Sequence, residues 1–229
     1  MAQISTLQPR DEARGQRSKS KSDHVANLAS IGHLRRLKAG ETLFAEGDEA
    51  SFCYQVASGF IKQYATLEDG RRQVSDFDSV GEFFGMSDSD QHLQTAEAVT
   101  DSAIRCYPKD ALYRMINSSI ELSRFFHDAL VARLQKAREG MMILGRLNAA
   151  ERVAHFLLRL SKDATSRDIH LPMSRQDIAD YLGLTVETVC RVLAQLKAEG
   201  VIRLQSARQM TVCDRAKLAS LAGGLRSSH

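Results

Sequence analysis

Apolar and polar residues alternate in short runs between Leu34 and Pro108, which is the pattern of β-strands. The runs include "ETLFAEGD", "FCYQVASGFIKQY" and "RRQVSDFDSVGEFFG", and turns that contain glycine separate them. The segment "LEDGRR" is the strongest candidate for a hairpin tip, because an Asp-Gly pair lies between two alternating runs. We therefore expect an antiparallel β-sandwich or jelly roll.

Beyond Pro108 the apolar spacing changes to three and four residues, the period of a helix. We predict one long helix that Gly145 ends, with an apolar stripe wide enough to pack on its own domain and on a second copy of the chain. The residues predicted to form this dimer interface are Phe126, Leu130, Leu134, Ala137, Met141 and Leu144. The alternative is a helix whose apolar side is used entirely within one chain.

Capping patterns mark two helix starts further along the chain. Asn148, followed three residues later by Glu151, precedes the helical segment "AAERVAHFLLRLSK". Ser174, followed by Asp177, precedes a short helix that Gly183 ends. The sequence therefore predicts two helices ahead of the segment that follows Gly183.

That segment predicts a helix-turn-helix with a wing. Thr185 can cap a second helix, and Gly200 ends it where a left-handed residue is needed. A helix, a short turn containing glycine and a second helix form the helix-turn-helix arrangement. The runs "VIRLQ" and "QMTVC", joined by "SAR", are then the two strands of a wing.

Three polar residues of the second helix lie opposite its apolar face: Glu187, Thr188 and Arg191. The four-residue spacing places Glu187 and Arg191 on adjacent turns of the N-terminal half, which is the half that reaches base edges in a major groove. Arginine donates two hydrogen bonds to guanine, and a carboxylate accepts one from cytosine and can also orient the arginine. The alternative is an intrahelical ion pair with no role in recognition.

Composition divides the chain into parts of different charge. We expect a disordered tail at residues 1–24, a β-roll at 25–117, a dimerisation helix at 118–145 and a winged helix-turn-helix domain at 146–229. The net charge of the 229 residues is +3, but residues 146–229 hold 13 Lys and Arg against 8 Asp and Glu, and the remainder holds 18 against 20. A positive C-terminal region favours contact with phosphates.

Other function classes find little support. The N-terminus lacks the apolar core of a secretory signal, and the apolar runs are too short to cross a membrane, so we expect a cytoplasmic protein without membrane association. Four separate cysteines without a C-x-x-C pair argue against disulfides and zinc. Neither enzyme motifs nor histidines at metal-ligand spacing are found, so we expect no enzyme activity and no metal.

The pattern "R-x-D-I-A-x-Y-L-G-L-T-x-E-T-V-x-R" resembles the DNA-binding domain of the Crp/FNR superfamily, and "GETLFAEGD", "SGFIK", "DGRRQV" and "VGEFFG" extend the resemblance upstream. It implies an α+β fold, with an N-terminal antiparallel β-roll like that of cyclic-nucleotide-binding jelly rolls, a long dimerisation helix and a C-terminal winged helix-turn-helix. It also implies a homodimer that binds palindromic double-stranded DNA and regulates transcription, with RNA polymerase as a partner through the loop 85–94.

Two departures indicate the branch of the family. Members that bind cyclic AMP have a glutamate and an arginine in the roll, where this chain has Met86 or Ser87 and Gln94, so a cyclic phosphate lacks its counter-charge. FNR holds an iron–sulfur cluster with four cysteines, and this chain has none before Cys53. The chain thus resembles FixK-type activators, which bind no cofactor, recognise TTGAT-like half-sites and act on microaerobic, nitrogen-fixation or denitrification genes.

The resemblance assigns roles to single residues. Glu187 and Arg191 read bases, whereas the predicted phosphate contacts, which position the protein, are Ser174, Arg175, Thr185, Thr188 and Arg208. Cys190 replaces the usual serine of FNR-type helices, and we weigh a redox switch against a substitution without regulatory meaning. We expect the other cysteines, Cys53, Cys106 and Cys213, to be core residues. The rival function is a regulator that senses a small molecule or haem in its roll.

Overall fold

The computed structural model describes residues 28, 30–87, 89–162 and 167–223, so the predicted tail at residues 1–24 lies outside the described part. The first half forms two four-stranded antiparallel sheets, with strand orders β1-β8-β3-β6 and β2-β7-β4-β5. Residues from both sheets share one apolar core. The strands are β1 His33–Leu37, β2 Thr42–Phe44, β3 Phe52–Ser58, β4 Ile61–Thr66, β5 Arg72–Asp78, β6 Phe83–Phe84, β7 Thr95–Ala98 and β8 Ser102–Pro108. The predicted jelly roll is confirmed, and we call these strands the roll.

The hairpin between β4 and β5 turns where the sequence predicts. Leu67 donates its N–H to the carbonyl of Arg71 at 2.8 Å, and Gly70 takes a φ of 81° that only glycine adopts without strain. This left-handed position explains why an Asp-Gly pair lies at the tip.

A β-bulge changes which residues of β5 share a face. Val74 and Asp76 pair with consecutive residues of β4, so Ser75 is an extra residue in the strand. As a result Val74 and Phe77 enter one apolar core, while Asp76 and Asp78 contact the long helix that follows the roll. Strand β5 therefore contacts two different elements.

Two helices follow the roll, α1 at Lys109–Ser118 and α2 at Ile120–Arg146. Ser119 separates them and caps α2, because its hydroxyl accepts the N–H of Leu122 at 3.2 Å. The prediction that Gly145 ends the long helix is wrong, since α2 continues to Arg146. One exposed glycine costs a helix only about 1 kcal/mol, and the last turn is held by the buried side chains of Ile143 and Leu147. Among the described residues, no helix combines the length and apolar character needed to span a membrane.

The C-terminal region is a small helical domain with a three-stranded sheet in the order β10-β11-β9. Strands β10 and β11 are the predicted wing, whereas β9 has no counterpart in the sequence prediction. The elements are α3 Ala149–Lys162, β9 Asp168–His170, α4 Arg175–Leu182, α5 Val186–Ala198, β10 Ile202–Leu204, β11 Gln209–Val212 and α6 Arg215–Leu221.

Arg152 joins the long helix to this domain. Its guanidinium donates to the carbonyls of Leu144 at 2.8 Å, Leu147 at 2.9 Å and Leu182 at 2.9 Å. One side chain therefore satisfies carbonyl groups at the ends of both α2 and α4, which otherwise lack intrahelical donors.

Candidate nucleic-acid interface

Helix α4 begins with a complete capping box. The Ser174 hydroxyl accepts the N–H of Asp177 at 3.0 Å, and the Asp177 carboxylate accepts the N–H of Ser174 at 2.9 Å. The helix ends at Gly183, whose φ of 61° lies in the left-handed region. This sharp end allows the chain to turn into α5 within three residues, as a helix-turn-helix requires.

Helix α5 has a defined start and a defined end. Thr185 accepts the N–H of Thr188 at 3.3 Å. At the other end Gly200 has a φ of 70°, and the N–H of Val201 donates to the carbonyl of Leu196 at 2.9 Å. This is the Schellman pattern that the glycine predicts. The apolar side of the helix is buried through Val189, Val192, Leu193 and Leu196.

The opposite side of α5 presents Glu187 and Arg191 to solvent. The predicted contact between them is not formed within the described part of the chain: the Arg191 guanidinium donates to the Thr188 hydroxyl at 3.3 Å. The carboxylate of Glu187 accepts its own backbone N–H and the hydroxyl of Thr185, and these hydrogen bonds lower its pKa. An acid in the first turn is attracted to the unpaired N–H groups of a helix start, and this attraction competes with the ion pair.

The predicted phosphate-contacting residues differ in what they can offer. The Ser174 hydroxyl donates to Asp177 at 2.6 Å and the Thr185 hydroxyl caps α5, so both already have structural roles. Arg175 is half-buried, and its Nη1 has no hydrogen-bond partner among the described residues. Arg208 is exposed in the turn between β10 and β11. Arg175 and Arg208 are therefore the cations best placed to donate hydrogen bonds to a phosphate.

The cysteines lie in different environments. Cys53 and Cys106 are buried as expected, and burial raises the pKa of the Cys53 thiol to about 11. The assignment of Cys213 to a strand in the core is wrong, because it follows the end of β11 and is partly exposed. Cys190 is exposed on α5. Burial lowers the pKa of Arg175, and an electrostatic interaction with Cys190 opposes that shift.

Helix α2 presents a row of apolar side chains on the chain's surface. Most of the predicted interface residues lie in this row, which we call the apolar seam: Leu130, Leu134, Ala137, Met141 and Leu144. Phe126 is an exception and corrects the prediction. Only 2% of its surface is exposed, because it packs on Phe83 of its own roll with ring centroids 4.9 Å apart. It has no free surface to offer a second chain.

The roll contains a cavity of about 350 Å³ between its strands and α2. Met86, Ser87 and Gln94 line it, in agreement with the sequence comparison of this segment. The cation in its wall is Arg133 of α2, which already lies 3.0 Å from Asp78 and 3.4 Å from Asp76. A bound phosphate would have to displace both carboxylates, so the residues present do not suit a cyclic nucleotide.

Arg133 belongs to a group of charges that sequence reasoning missed. This carboxylate cluster consists of Asp76, Asp78, Arg133 and Lys136, and it joins β5 to α2. Asp78 has no exposed surface, and burial raises its pKa to about 6 although Arg133 opposes the shift. Acids at alternate positions of the apolar run "SDFDS" were the signal that could have revealed it.

Comparisons with known proteins divide the chain in the same way. The family model for the cyclic nucleotide-binding domain matches residues 34–119, and that for the Crp-like helix-turn-helix domain matches residues 151–221. The first match describes the architecture of the roll, since the cavity lacks the charge pattern that a cyclic phosphate needs.

The similar proteins are regulators. The chain is 38% identical to the nitrogen fixation regulation protein FixK of Rhizobium meliloti over 185 residues, 80% of this chain and 84% of that protein. It is 39% identical to a probable transcriptional activator of Rhizobium leguminosarum bv. viciae, over 79% of this chain and 77% of that one. The solved structure of FixK2 from Bradyrhizobium japonicum superimposes with a TM-score of 0.80 at 34% identity, covering 87% of this chain and all of that one.

The raised pKa of Asp78 gives a stability test. A buried acid with a pKa of about 6 holds its proton more tightly in the folded chain than in the unfolded one. Its contribution to the free energy of unfolding is complete below the ordinary pKa and is lost as the pH rises through about 6. Asp78→Asn removes this term, so the free energy of unfolding of the variant relative to wild type should rise by roughly 1–3 kcal/mol between about pH 4 and pH 8.

Urea unfolding across this pH range measures the difference. Asp69→Asn is the matched control, because Asp69 is exposed at the hairpin tip and its pKa is lowered by Arg71. A constant difference between wild type and Asp78→Asn at all pH values would contradict the assignment.

Proposed function

Because the chain belongs to the Crp/FNR family of transcription regulators, in its FixK-type branch, we propose that it acts as a homodimer that reads a palindromic, TTGAT-like site in double-stranded DNA. It is an activator with a helix-turn-helix DNA-binding domain and not an enzyme, in line with its relatives. The proposal adds the symmetric site, the dimer and the residues that read the bases.

The observation that carries the proposal is the exposed N-terminal half of α5. Glu187 and Arg191 project from a helix whose other side is fixed to the domain core by Val189 and Val192. A helix held in this way can enter the major groove without losing its support. Arg191 then donates to the guanine of the half-site, and Glu187 accepts from the paired cytosine. Arg191 leaves the hydroxyl of Thr188, and Glu187 leaves the hydroxyl of Thr185 and its own backbone N–H.

The apolar seam supports the dimer. Its members recur at spacings of four, three, four and three residues along α2, which is the repeat of a two-stranded coiled coil. In a single chain Met141 exposes 74% of its surface and Leu134 exposes 52%. Pairing two α2 helices covers these side chains and places two copies of α5 for successive major grooves.

The relatives suggest the biological setting. Several are named nitrogen fixation regulation proteins, and we propose that this chain regulates microaerobic, nitrogen-fixation or denitrification genes from the cytoplasm. The proposed contact with RNA polymerase is the loop 85–94, of which Asp88 lies outside the described residues. Leu93 in this loop exposes 70% of its surface.

Arg191 provides the first test of base reading. Arg191→Ala should weaken binding to the palindrome by roughly 1–3 kcal/mol and should relax selectivity at the guanine, because a bidentate donor is lost. Fluorescence anisotropy with matched and single-base-changed duplexes at constant salt measures both effects. The control is Gln195→Ala, which removes an exposed residue of the same helix whose side chain donates to Glu199 at 2.9 Å. Equal loss on all duplexes would mean that Arg191 contacts phosphate.

Leu134 tests the dimer. Leu134→Glu places a charge in the centre of the seam and should convert the dimer into monomers, with loss of tight binding to the palindrome. The control is Leu67→Glu at the hairpin tip, where the leucine is 46% exposed against 52% for Leu134. Sedimentation velocity distinguishes the two variants. A dimer that persists in Leu134→Glu would exclude the seam as the interface.

Cys190 tests redox control. Peroxide oxidises a thiol first to a sulfenic acid and then to a sulfinic acid, and at Cys190 the acid would add bulk and negative charge to the exposed face of α5, against the phosphates of bound DNA. We expect peroxide to weaken DNA binding by wild type and to leave Cys190→Ser unaffected. Cys213→Ser, which keeps Cys190, should remain as sensitive as wild type. Equal peroxide sensitivity in both variants would reject the switch.

A second candidate function is a regulator that senses a small molecule in the roll. One observation favours it: His92 lines the cavity, is buried, and its Nε2 has no hydrogen-bond partner among the described residues. Burial lowers the pKa of His92, so a neutral ligand would meet a neutral imidazole. A rise in melting temperature with one member of a metabolite panel, or a haem absorbance band in the purified protein, would support this candidate.

A further inference from the structure

A buried lysine lies between the roll and the helix-turn-helix. Lys62 on β4 is 7% exposed, and its Nζ lies 2.9 Å from Glu97 of the roll and 2.7 Å from Asp177 of α4. Burial by itself lowers the pKa of Lys62, but the hydrogen bonds to Asp177 and Glu97 outweigh this effect and raise it. The lysine is therefore charged. It joins two acids that belong to different domains and lie 80 residues apart in sequence.

Asp177 uses its two oxygens for different purposes. Oδ2 accepts both the N–H and the hydroxyl of Ser174, which completes the cap of α4. Oδ1 accepts the ammonium of Lys62. Asp177 thus completes the cap of the first helix of the helix-turn-helix and also attaches that helix to the roll.

The surrounding contact is apolar. Phe77 of β5 packs on Tyr181 of α4 with ring centroids 5.2 Å apart, and Tyr181 packs on Phe156 of α3 at 5.8 Å. Apolar contacts of this kind are not directional, and they would tolerate rotation of the small domain on the sheet. A buried ion pair is directional, because rotation separates the Asp177 carboxylate from its cation and leaves Lys62 with Glu97 of the roll alone.

The orientation of α4 also determines that of α5. Three residues, 183–185, separate α4 from α5, and the apolar faces of both helices meet in one core through Ile178, Ala179, Val189 and Val192. A change in the angle at which α4 lies on the roll would therefore move Arg191 by a similar angle. In a dimer joined through α2, the distance between the two copies of Arg191 depends on this angle.

We propose that Lys62 and Asp177 are positioning residues for DNA recognition: their buried ion pair fixes the angle of the helix-turn-helix on the roll and so selects the spacing between the two half-sites. The inference rests on the proposed function, since it requires a dimer that reads two half-sites. Neither residue contacts a base. Their effect is on which arrangement of two sites the dimer accepts.

The experiment compares duplexes that differ only in spacing. Affinity is measured for two TTGAT-like half-sites in inverted repeat, at the spacing that the wild-type protein prefers and at spacings one and two base pairs longer, and also for a duplex with one half-site. Lys62→Met keeps the length of the side chain without its charge. Asp177→Asn keeps an oxygen for the Ser174 cap but cannot pair with Lys62 as an anion.

Both variants should lose about tenfold of the preference for the wild-type spacing, because an ion pair that couples two domains is worth that order of discrimination. Affinity for the single half-site should stay within about twofold of wild type. The double variant should lose little more than either single variant, since both remove one interaction. Thermal unfolding monitored by circular dichroism confirms that each variant is folded. Lys62→Arg, which keeps the positive charge, should keep the spacing preference and serves as the second variant if Lys62→Met is unstable.

Lys38→Met is the matched control. Lys38 also pairs with an aspartate, Asp101 at 2.9 Å, but both are exposed and lie within the roll. This variant should keep the spacing preference. An unchanged preference in Lys62→Met and Asp177→Asn, or an equal loss in Lys38→Met, overturns the inference while the proposed function stands. Equal binding of wild type to every spacing and to the single half-site would instead reject the proposed dimeric reader itself.

Discussion

Strand β5 is held from two sides, by the long helix α2 and by the helix-turn-helix domain. Its acids Asp76 and Asp78 bind the cations of α2, and its apolar residues Val74 and Phe77 pack on the helix-turn-helix domain. Asp78 is fully buried, and its charge is stabilised by Arg133 at 3.0 Å and by the side-chain amide of Gln63, which donates to it at 2.7 Å. The extra residue at Ser75 is what allows one strand to present acids to one neighbour and apolar groups to the other.

The ion pairs between β5 and α2 bear on how the roll contacts the long helix when its cavity does not suit a cyclic nucleotide. Residues 85–87 and 92–94 line the cavity of the roll, and they lack the groups that would hold a cyclic phosphate. The connection between the roll and α2 is made by charges of the chain itself, from Asp78 to Arg133 and from Asp76 to Lys136. Contact between the roll and α2 therefore needs no added anion.

The sequence was most informative where structure is local. The capping box at Ser174, the left-handed Gly200 and the Asp-Gly hairpin tip each depend on a few neighbouring residues, and each prediction is confirmed. Predictions failed where the environment of a side chain depends on residues distant in sequence or on competing hydrogen-bond partners. Helical spacing places Phe126 on the apolar face of the helix, but it does not show that the roll of the same chain covers this side chain. The spacing of Glu187 and Arg191 permits an ion pair but does not show that Thr185 and Thr188 bind them first. The sequence also gives no sign of the ion pair between Lys62 and Asp177, because these residues lie 115 positions apart.

The junction held by Arg152 has a consequence for the entropy of binding. Only two residues separate α2 from α3, and three carbonyls of the junction accept hydrogen bonds from this one guanidinium. Domains on a flexible tether sample many separations, and they lose that freedom when a second site is engaged. Here the loss has already occurred during folding. In the proposed dimer, once one recognition helix is bound, the other is presented to its half-site at a high effective concentration, through a preorganised joint and without a tether to order.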